Sequence, residues 1–333
     1  KFNNIKEIIN NCKETYGDKI AIKYKDVSTK EIKSLTYTEI MDDVNALGTA
    51  LISIGLKDKR IGIIGENRYE WEEAYLSIIG GTGIVVPLDK ALTETELLSL
   101  IERSEIEAVF YSSKYDDMMN KAKADKIGNV KFFISMDLEE KTDDVYSQKE
   151  LIKLGKDLIK NGARSFLDAE INNDTMAVML FTSGTTSQSK AVMLTSRNIA
   201  SNIYALQCVE DVRDTDTYLS ILPLHHTYEC TVGFLQMLYN GCTISFCEGL
   251  RHIVDNLKEV KPTTMIAVPL IYENMYNKIW DTARKQKKDG GLRFLVNLSN
   301  FLRKFGIDLR KKFFKSILNN FGGNIRLAIA GGA

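Results

Sequence analysis

The sequence predicts an α/β protein whose strands lie mostly parallel, with helices covering both faces. Two observations carry this. Short apolar runs alternate with longer stretches in which apolar residues recur at helical spacing, and glycines or polar turns separate them. Strands separated by single helices need crossover connections, which make neighbouring strands parallel and bury both faces of the sheet.

The elements follow in order. Tyr37, Ile40, Met41, Val44, Leu47, Leu51 and Ile54 form one helical stripe, which Gly55 ends. Arg60–Gly65 is a short buried strand, and Trp71–Ile79 is helical again. Gly80–Gly83 leads into the strand Ile84–Pro87. Thr93 with Glu96 makes a capping box that starts a helix to about Glu102. Ala108–Tyr111 and Lys131–Ser135 are further short apolar runs. The polar, charged stretch from Leu138 to Asp174 is expected to be an internal linker or surface excursion. After it, Met176–Phe181 is a buried strand, Ala191–Leu194 is apolar, and Thr195 opens a helix over Ser196–Val209. Near the end, Asn324–Ala330 reads as a strand that runs into Gly331-Gly332-Ala333.

At 333 residues the chain can bury a large core, and about two units would be the default expectation. Lys and Arg number 44 against 44 Asp and Glu, so no global charge points to nucleic acid. No run approaches the roughly 18 apolar residues of a membrane span, and Lys1–Glu7 lack the apolar stretch of a signal peptide. Five cysteines (Cys12, Cys208, Cys230, Cys242, Cys247) show no zinc-type spacing. They read as buried, reduced thiols in a cytoplasmic protein.

The chemistry concentrates in Phe181-Thr182-Ser183-Gly184-Thr185-Thr186-Ser187-Gln188-Ser189-Lys190, a hydroxyl-rich, glycine-bearing loop between two apolar strands. Hydroxyls and free backbone N–H groups can meet phosphate oxygens there, and one lysine neutralises charge. A plain polar hairpin is the structural alternative. A Walker loop is excluded, because Ser189 stands where its second glycine belongs and Ala191 where its Ser or Thr belongs. The dinucleotide fingerprint is also excluded, since Gly81-Thr82-Gly83 precedes a strand and lacks the third glycine.

The loop resembles the phosphate-binding signature of the adenylate-forming superfamily: acyl-CoA synthetases, luciferases and peptide-synthetase adenylation domains. Phe181–Thr186, Lys190 and Val192 match that signature, while Ser187, Ser189 and Ala191 replace its Gly, Pro and Gly. Leu222-Pro223-Leu224-His225-His226-Thr227-Tyr228-Glu229 is similar to the family's Leu-Pro-Leu-x-His-x-x-Glu segment. Gly331-Gly332-Ala333 resembles the turn that lies against adenine.

The resemblance implies the large amino-terminal domain of that fold, with two mostly parallel sheets and helices in layers. It divides into two interleaved subdomains, about 57–210 and about 1–56 plus 211–333. It implies ATP, Mg2+ and coenzyme A as cofactors. Thr182, Ser183, Gly184, Thr185, Thr186 and Lys190 would hold phosphates, with Thr185 near magnesium. His226 would stand beside the reacting carboxylate, with His225 as a neighbour, and Gly331, Gly332 and Ala333 would flank adenine. The family's later motifs and its small lysine-bearing domain lie beyond Ala333, so these residues alone are expected to make no thioester.

About a hundred residues separate His226 from Gly331, and Met275–Leu318 resembles the helical insertion of long-chain fatty acyl-CoA synthetases. The expected substrate is therefore a long-chain fatty acid. Lys278–Lys315 carries twelve Lys or Arg against three Asp, interleaved with aromatics. A solvated helical face and a contact with an anionic membrane surface both fit this pattern. Two other functions stay open: adenylation of another acid for a carrier protein, and a catalytically silent homologue.

Overall fold

The computed structural model describes residues 2–26, 28–182 and 189–332. In chain order its strands are β1 (Ile20–Lys25), β2 (Ile32–Thr36), β3 (Arg60–Ile64), β4 (Ile84–Pro87) and β5 (Ala108–Tyr111). β6 (Phe132–Ser135), β7 (Tyr146–Ser147), β8 (Met176–Thr182) and β9 (Lys190–Thr195) follow. The last are β10 (Thr217–Ser220), β11 (Thr243–Phe246), β12 (Thr264–Ala267) and β13 (Leu327–Ala330). One sheet has the order β13-β12-β10-β11-β1-β2, the other β7-β6-β5-β3-β4-β8-β9. Among the described residues only β1–β2 and β8–β9 pair antiparallel.

The residue pattern along each strand explains the layering, because successive side chains point to opposite faces. Ile61, Ile63, Ala108 and Phe110 of one sheet join Tyr218, Ile244 and Ile266 of the other in a single core. That core encloses the helices Ile5–Tyr16 and Tyr37–Ser53. The alternate residues Ile64, Val86, Val109 and Tyr111 pack outward against the helix Glu94–Ser104. Leu219, Met265 and Ala267 pack outward beneath the helix Ile253–Val260. The result is two sheets with helices between them and helices on both outer faces.

The stretch 138–174 is not a linker. β7 extends the second sheet beside β6, and the helix Gln148–Lys160 lies along Tyr37–Ser53. Its buried stripe is only Gln148, Leu151 and Gly155, one residue per turn. A Cβ at Gly155 would lie 1.8 Å from the Ala46 carbonyl oxygen, so the helices touch backbone to backbone. Phe166, fully buried, fills the space over Gly48 and Gly80. Polar composition disguised the segment because a stripe this narrow needs few apolar residues.

Smaller departures have equally local causes. The helix expected over Trp71–Ile79 begins at Tyr69 and passes into a π-helical turn, Ile78–Thr82. There Gly81 has φ 143°, which favours glycine. Cys12, Cys230 and Cys242 are buried, and burial pushes each thiol up to about 12. Two cysteines depart from the buried reading: the last turn of Ser196–Val209 leaves Cys208 exposed, and Cys247 is half-buried.

Candidate active site

Ligands in open α/β sheets bind at the carboxyl ends of parallel strands. Here both sheets present those ends to each other. Asn67, just past β3, donates from Nδ2 to Ser220 Oγ at 2.8 Å and to the Leu222 carbonyl at 2.6 Å. The Leu224 N–H donates back to Asn67 Oδ1 at 3.2 Å. Past β4, Asp89 Oδ1 lies 3.0 Å from His225 Nε2. The loop after β10, which carries His226, is therefore bonded to the exits of β3 and β4. β8 is the parallel neighbour of β4, so Thr182 leaves the same edge.

The strands that flank the phosphate-loop candidate pair antiparallel. β8 and β9 pair so that Thr182 stands opposite Lys190, both exposed at the hairpin's mouth. Ser183, Gly184, Thr185 and Thr186 lie outside the described residues, as does Ala333. A residue missed in the sequence, Arg103, ties down the hairpin's foot. Its guanidinium donates to the Ser189 carbonyl at 2.6 Å and to Ser189 Oγ at 3.2 Å. It also lies 5.7 Å from the centre of the Phe181 ring. Arg103 sits in the last turn of Glu94–Ser104, where the helix dipole favours a cation. No local signal could reveal this contact, because 86 residues separate the partners.

His226 is exposed within a turn closed by its own N–H, which donates to the Pro223 carbonyl at 3.0 Å. The Tyr228 N–H donates to His226 Nδ1 at 3.3 Å, so Nε2 is the nitrogen left for other partners. His225 differs. Burial pushes its pKa down to about 4, with Lys90 and His226 adding to that and Asp89 opposing it. At neutral pH His225 is thus an uncharged donor to Asp89.

Beneath this turn lies a buried carboxyl group. Glu229 accepts from Tyr218 at 2.8 and 2.9 Å and from Ser220 Oγ at 2.6 Å. Burial raises its pKa to about 7, against the lowering effect of those hydroxyls. Gly233 permits the approach, since a Cβ there would come within 2.6 Å of the carboxyl group. Asn67, Ser220, Glu229 and Tyr218 form a polar column supporting the histidine turn. The sequence displayed Glu229 within a motif but gave no hint of Asn67.

The turn also reaches the end of β13. A Cβ on Gly331 would stand 2.8 Å from the Tyr228 ring, so the phenol end of Tyr228 packs against glycine backbone that no side chain could cover. Gly332 has φ 71°, a conformation glycine adopts without strain. The structure therefore joins the His226 turn to Gly331–Gly332, and Thr182 to Lys190. Among the described residues no hydrogen bond or ion pair links the two pairs. Nor do the described residues contain a group of three His, Cys, Asp or Glu side chains that could hold a metal ion.

Layered, mostly parallel sheets with the His226 turn, Thr182 and Lys190 at adjoining strand ends define an α/β protein with a candidate site at the carboxyl ends of its strands. The chain belongs to the AMP-binding enzyme family, whose match covers residues 10–333. It is 30% identical over 328 residues to long-chain-fatty-acid–CoA ligase 5 of Rattus norvegicus, covering 90% of this chain and 47% of that relative. A chloroplastic long-chain-fatty-acid–acyl-carrier-protein ligase of Arabidopsis thaliana is 27% identical over 296 residues, covering 83% of this chain and 39% of its own length. The chain thus spans about half the length, or less, of these curated relatives. The adenylation domain of a carboxylate reductase from Mycobacterium chelonae shares the fold, with a TM-score of 0.79 at 15% identity. That likeness covers 99% of this chain and 54% of the other.

Proposed function

We propose that this chain is part of an ATP-dependent acid–thiol ligase that activates a long-chain fatty acid and, in the whole protein, passes it to coenzyme A. The β8–β9 hairpin carries the reading: it opens at an edge shared by the exits of β4 and β10, with Lys190 at its mouth. Family membership and the rat relative support the reaction class.

In the first step a carboxylate oxygen bonds to the α-phosphorus, and the bond to pyrophosphate breaks. In the second, a thiol sulfur bonds to the acyl carbon, AMP leaves with the bonding pair, and the thiol proton goes to solvent. This chain's contribution is positioning and charge. Lys190, Thr182 and the residues Ser183, Gly184, Thr185 and Thr186 would bind the β- and γ-phosphates, neutralising charge as it moves onto the leaving group. His226, held through Nδ1, would orient the substrate carboxylate with Nε2, while Gly331, Gly332 and Ala333 let adenine approach backbone. Magnesium would stabilise phosphate charge when bound. The two interleaved subdomains, about 57–210 and the remainder, would then meet at this site.

ATP–pyrophosphate exchange by the complete protein tests the reading. Exchange stimulated by palmitate is expected, and silence with every acid would leave only a non-catalytic homologue. Transfer to a carrier protein is the second reading, supported by the Arabidopsis relative. Coenzyme A and acyl-carrier protein, compared as acceptors, separate the two.

The same reading includes a membrane-surface contact. Of the twelve basic residues between Lys278 and Lys315, only Arg284 and Arg310 have a carboxylate partner among the described residues. Phe294, Phe301 and Phe305 are 65%, 56% and 67% exposed beside them. No described helix is long and apolar enough to cross a membrane. Sedimentation with anionic vesicles at low salt is expected, and its absence would exclude the contact.

A further inference from the structure

Lys90, just past the end of β4, is a half-buried cation with no ion-pair partner among the described residues. The carboxylates around it are engaged elsewhere. Asp89 Oδ1 lies 3.0 Å from His225 Nε2, and Glu66 Oε1 lies 3.5 Å from Lys114 Nζ. Glu66 Oε2 accepts from Ser112 Oγ at 2.8 Å, and Glu229 accepts from Tyr218 and Ser220. Lys90 Nζ itself donates one long bond, 3.4 Å, to Asn67 Oδ1. An ammonium carries three N–H donors, so most of its capacity is unused among the described residues. Burial pushes its pKa down and Lys114 adds to that, while Glu66, Asp89 and Glu229 hold it up. His225 also faces it from the loop after β10. A cation drawn partly out of water without an anion is costly, and an anionic guest would relieve that cost.

Its position limits which anion. In the second sheet β4 lies between β3 and β8. On the β8 side is the hairpin that carries Lys190. On the β3 side Glu66, Asn67, Ser113 and Lys114 line a polar crevice of about 860 Å³. Lys90 leaves β4 between the two, beside the His226 turn that Asn67 also holds.

We propose that Lys90 is a catalytic residue of the thiol-transfer step, its ammonium binding the thiolate of the acceptor. This rests on the ligase reading and deepens it. The two steps involve three kinds of anion, and in that reading Lys190 serves the phosphates and His226 the carboxylate. A carboxylic acid is already ionised at neutral pH, whereas a thiol with a pKa of about 8.5 is mostly protonated. A cation therefore gains most at the sulfur, where it raises the fraction able to react. The S–H proton goes to solvent and its electron pair stays on sulfur. Sulfur then bonds to the acyl carbon, and the carbon–oxygen bond to AMP breaks with the pair leaving on AMP.

The complete protein tests this, with each step read separately. Palmitate-dependent ATP–pyrophosphate exchange reads the first step and should change less than twofold in Lys90→Met. The second is read by single-turnover transfer from preformed palmitoyl-adenylate to coenzyme A or acyl-carrier protein, whichever accepts, between pH 6 and 10. In the parent the rate should rise with a midpoint at least about one pH unit below the ordinary thiol value. In Lys90→Met the midpoint should return to about 8.5, which makes transfer about tenfold slower at pH 7. Rates should converge above about pH 9.5, where the thiol is ionised in either protein. Lys90→Arg, which keeps a cation, should keep the lowered midpoint. A midpoint unmoved by Lys90→Met would overturn the proposal. So would exchange and transfer falling together, which would make Lys90 a structural or first-step residue. Absence of exchange in the parent with every acid would instead remove the ligase reading itself.

Discussion

Two loops leave adjoining strand ends in this molecule, and they are secured in opposite ways. The His226 turn rests on a column, Asn67–Ser220–Glu229–Tyr218, in which the bonds of Glu229 to Tyr218 and Ser220 are buried and those of Asn67 are half-buried. The β8–β9 hairpin lies at the sheet's edge and is tied by one exposed arginine to Ser189 and Phe181. Buried polar contacts are costly to break because the group left behind stays unsolvated. An exposed contact is replaced by water, and its loss is small. The histidine turn should therefore behave as part of the fold, and the hairpin as an appendage whose order matters to ligand binding more than to stability.

The largest effect expected from this contrast is a pH dependence centred on Glu229. Its folded pKa, about 7, lies above the ordinary 4.5 because the carboxyl group is buried. Below 4.5 the group is protonated in both states, so stability is at its maximum. As pH rises towards 7 only the unfolded chain ionises, and stability falls by about 3 kcal/mol before levelling off. Urea denaturation of Glu229→Gln should show that much less slope between pH 4.5 and 7 than the parent chain. Equal slopes would mean that the column does not hold a protonated acid.

Asn67 should come next. Asn67→Leu removes four hydrogen bonds, one of them a long contact from Lys90 Nζ, and strands the Leu222 carbonyl and the Leu224 N–H. A loss of about 2 kcal/mol is expected, at the lower end for stranded groups because Asn67 is only half-buried. A loss below half that would show the turn to be held by other contacts.

What the sequence revealed follows the same division by distance. Thr93 and Glu96 form the expected capping box, and Thr195 caps the helix it was expected to open. These depend on residues three apart. The strands Arg60–Ile64, Ile84–Pro87 and Ala108–Tyr111 were legible because burial on both faces leaves continuous apolar runs, whereas the two-residue strand Tyr146–Ser147 was not. The helix Gln148–Lys160 was not, since it buries one residue per turn and makes its closest contact through Gly155. At the site, His226 and Lys190 stood out by motif. Arg103 and Asn67 did not, because ordinary residues acquire their roles only when distant strand exits meet.

The ligand-binding side of the contrast is tested at Lys190. If it compensates phosphate charge, Lys190→Ala should weaken ATP binding about tenfold, worth about 1.4 kcal/mol, with little change in urea stability. Binding can be measured by titration calorimetry on the 333-residue chain. Unchanged affinity would remove Lys190 from the phosphate site.

The smallest effect, and the sharpest for the comparison, belongs to Arg103. Its bonds to Ser189 are exposed, so Arg103→Ala should change stability by under about 1 kcal/mol. Yet the arginine fixes one end of the hairpin's connection, and ordering a loop in advance spares a ligand that cost when it binds. ATP affinity should therefore fall about threefold. Arg103→Lys keeps the charge but loses the paired contact to Ser189, so it should behave like the alanine variant. A lysine variant with parental affinity would mean that charge near the loop is what matters. An alanine variant that loses stability but no affinity would reverse the assignment, making the hairpin's foot a structural joint like the one beneath His226.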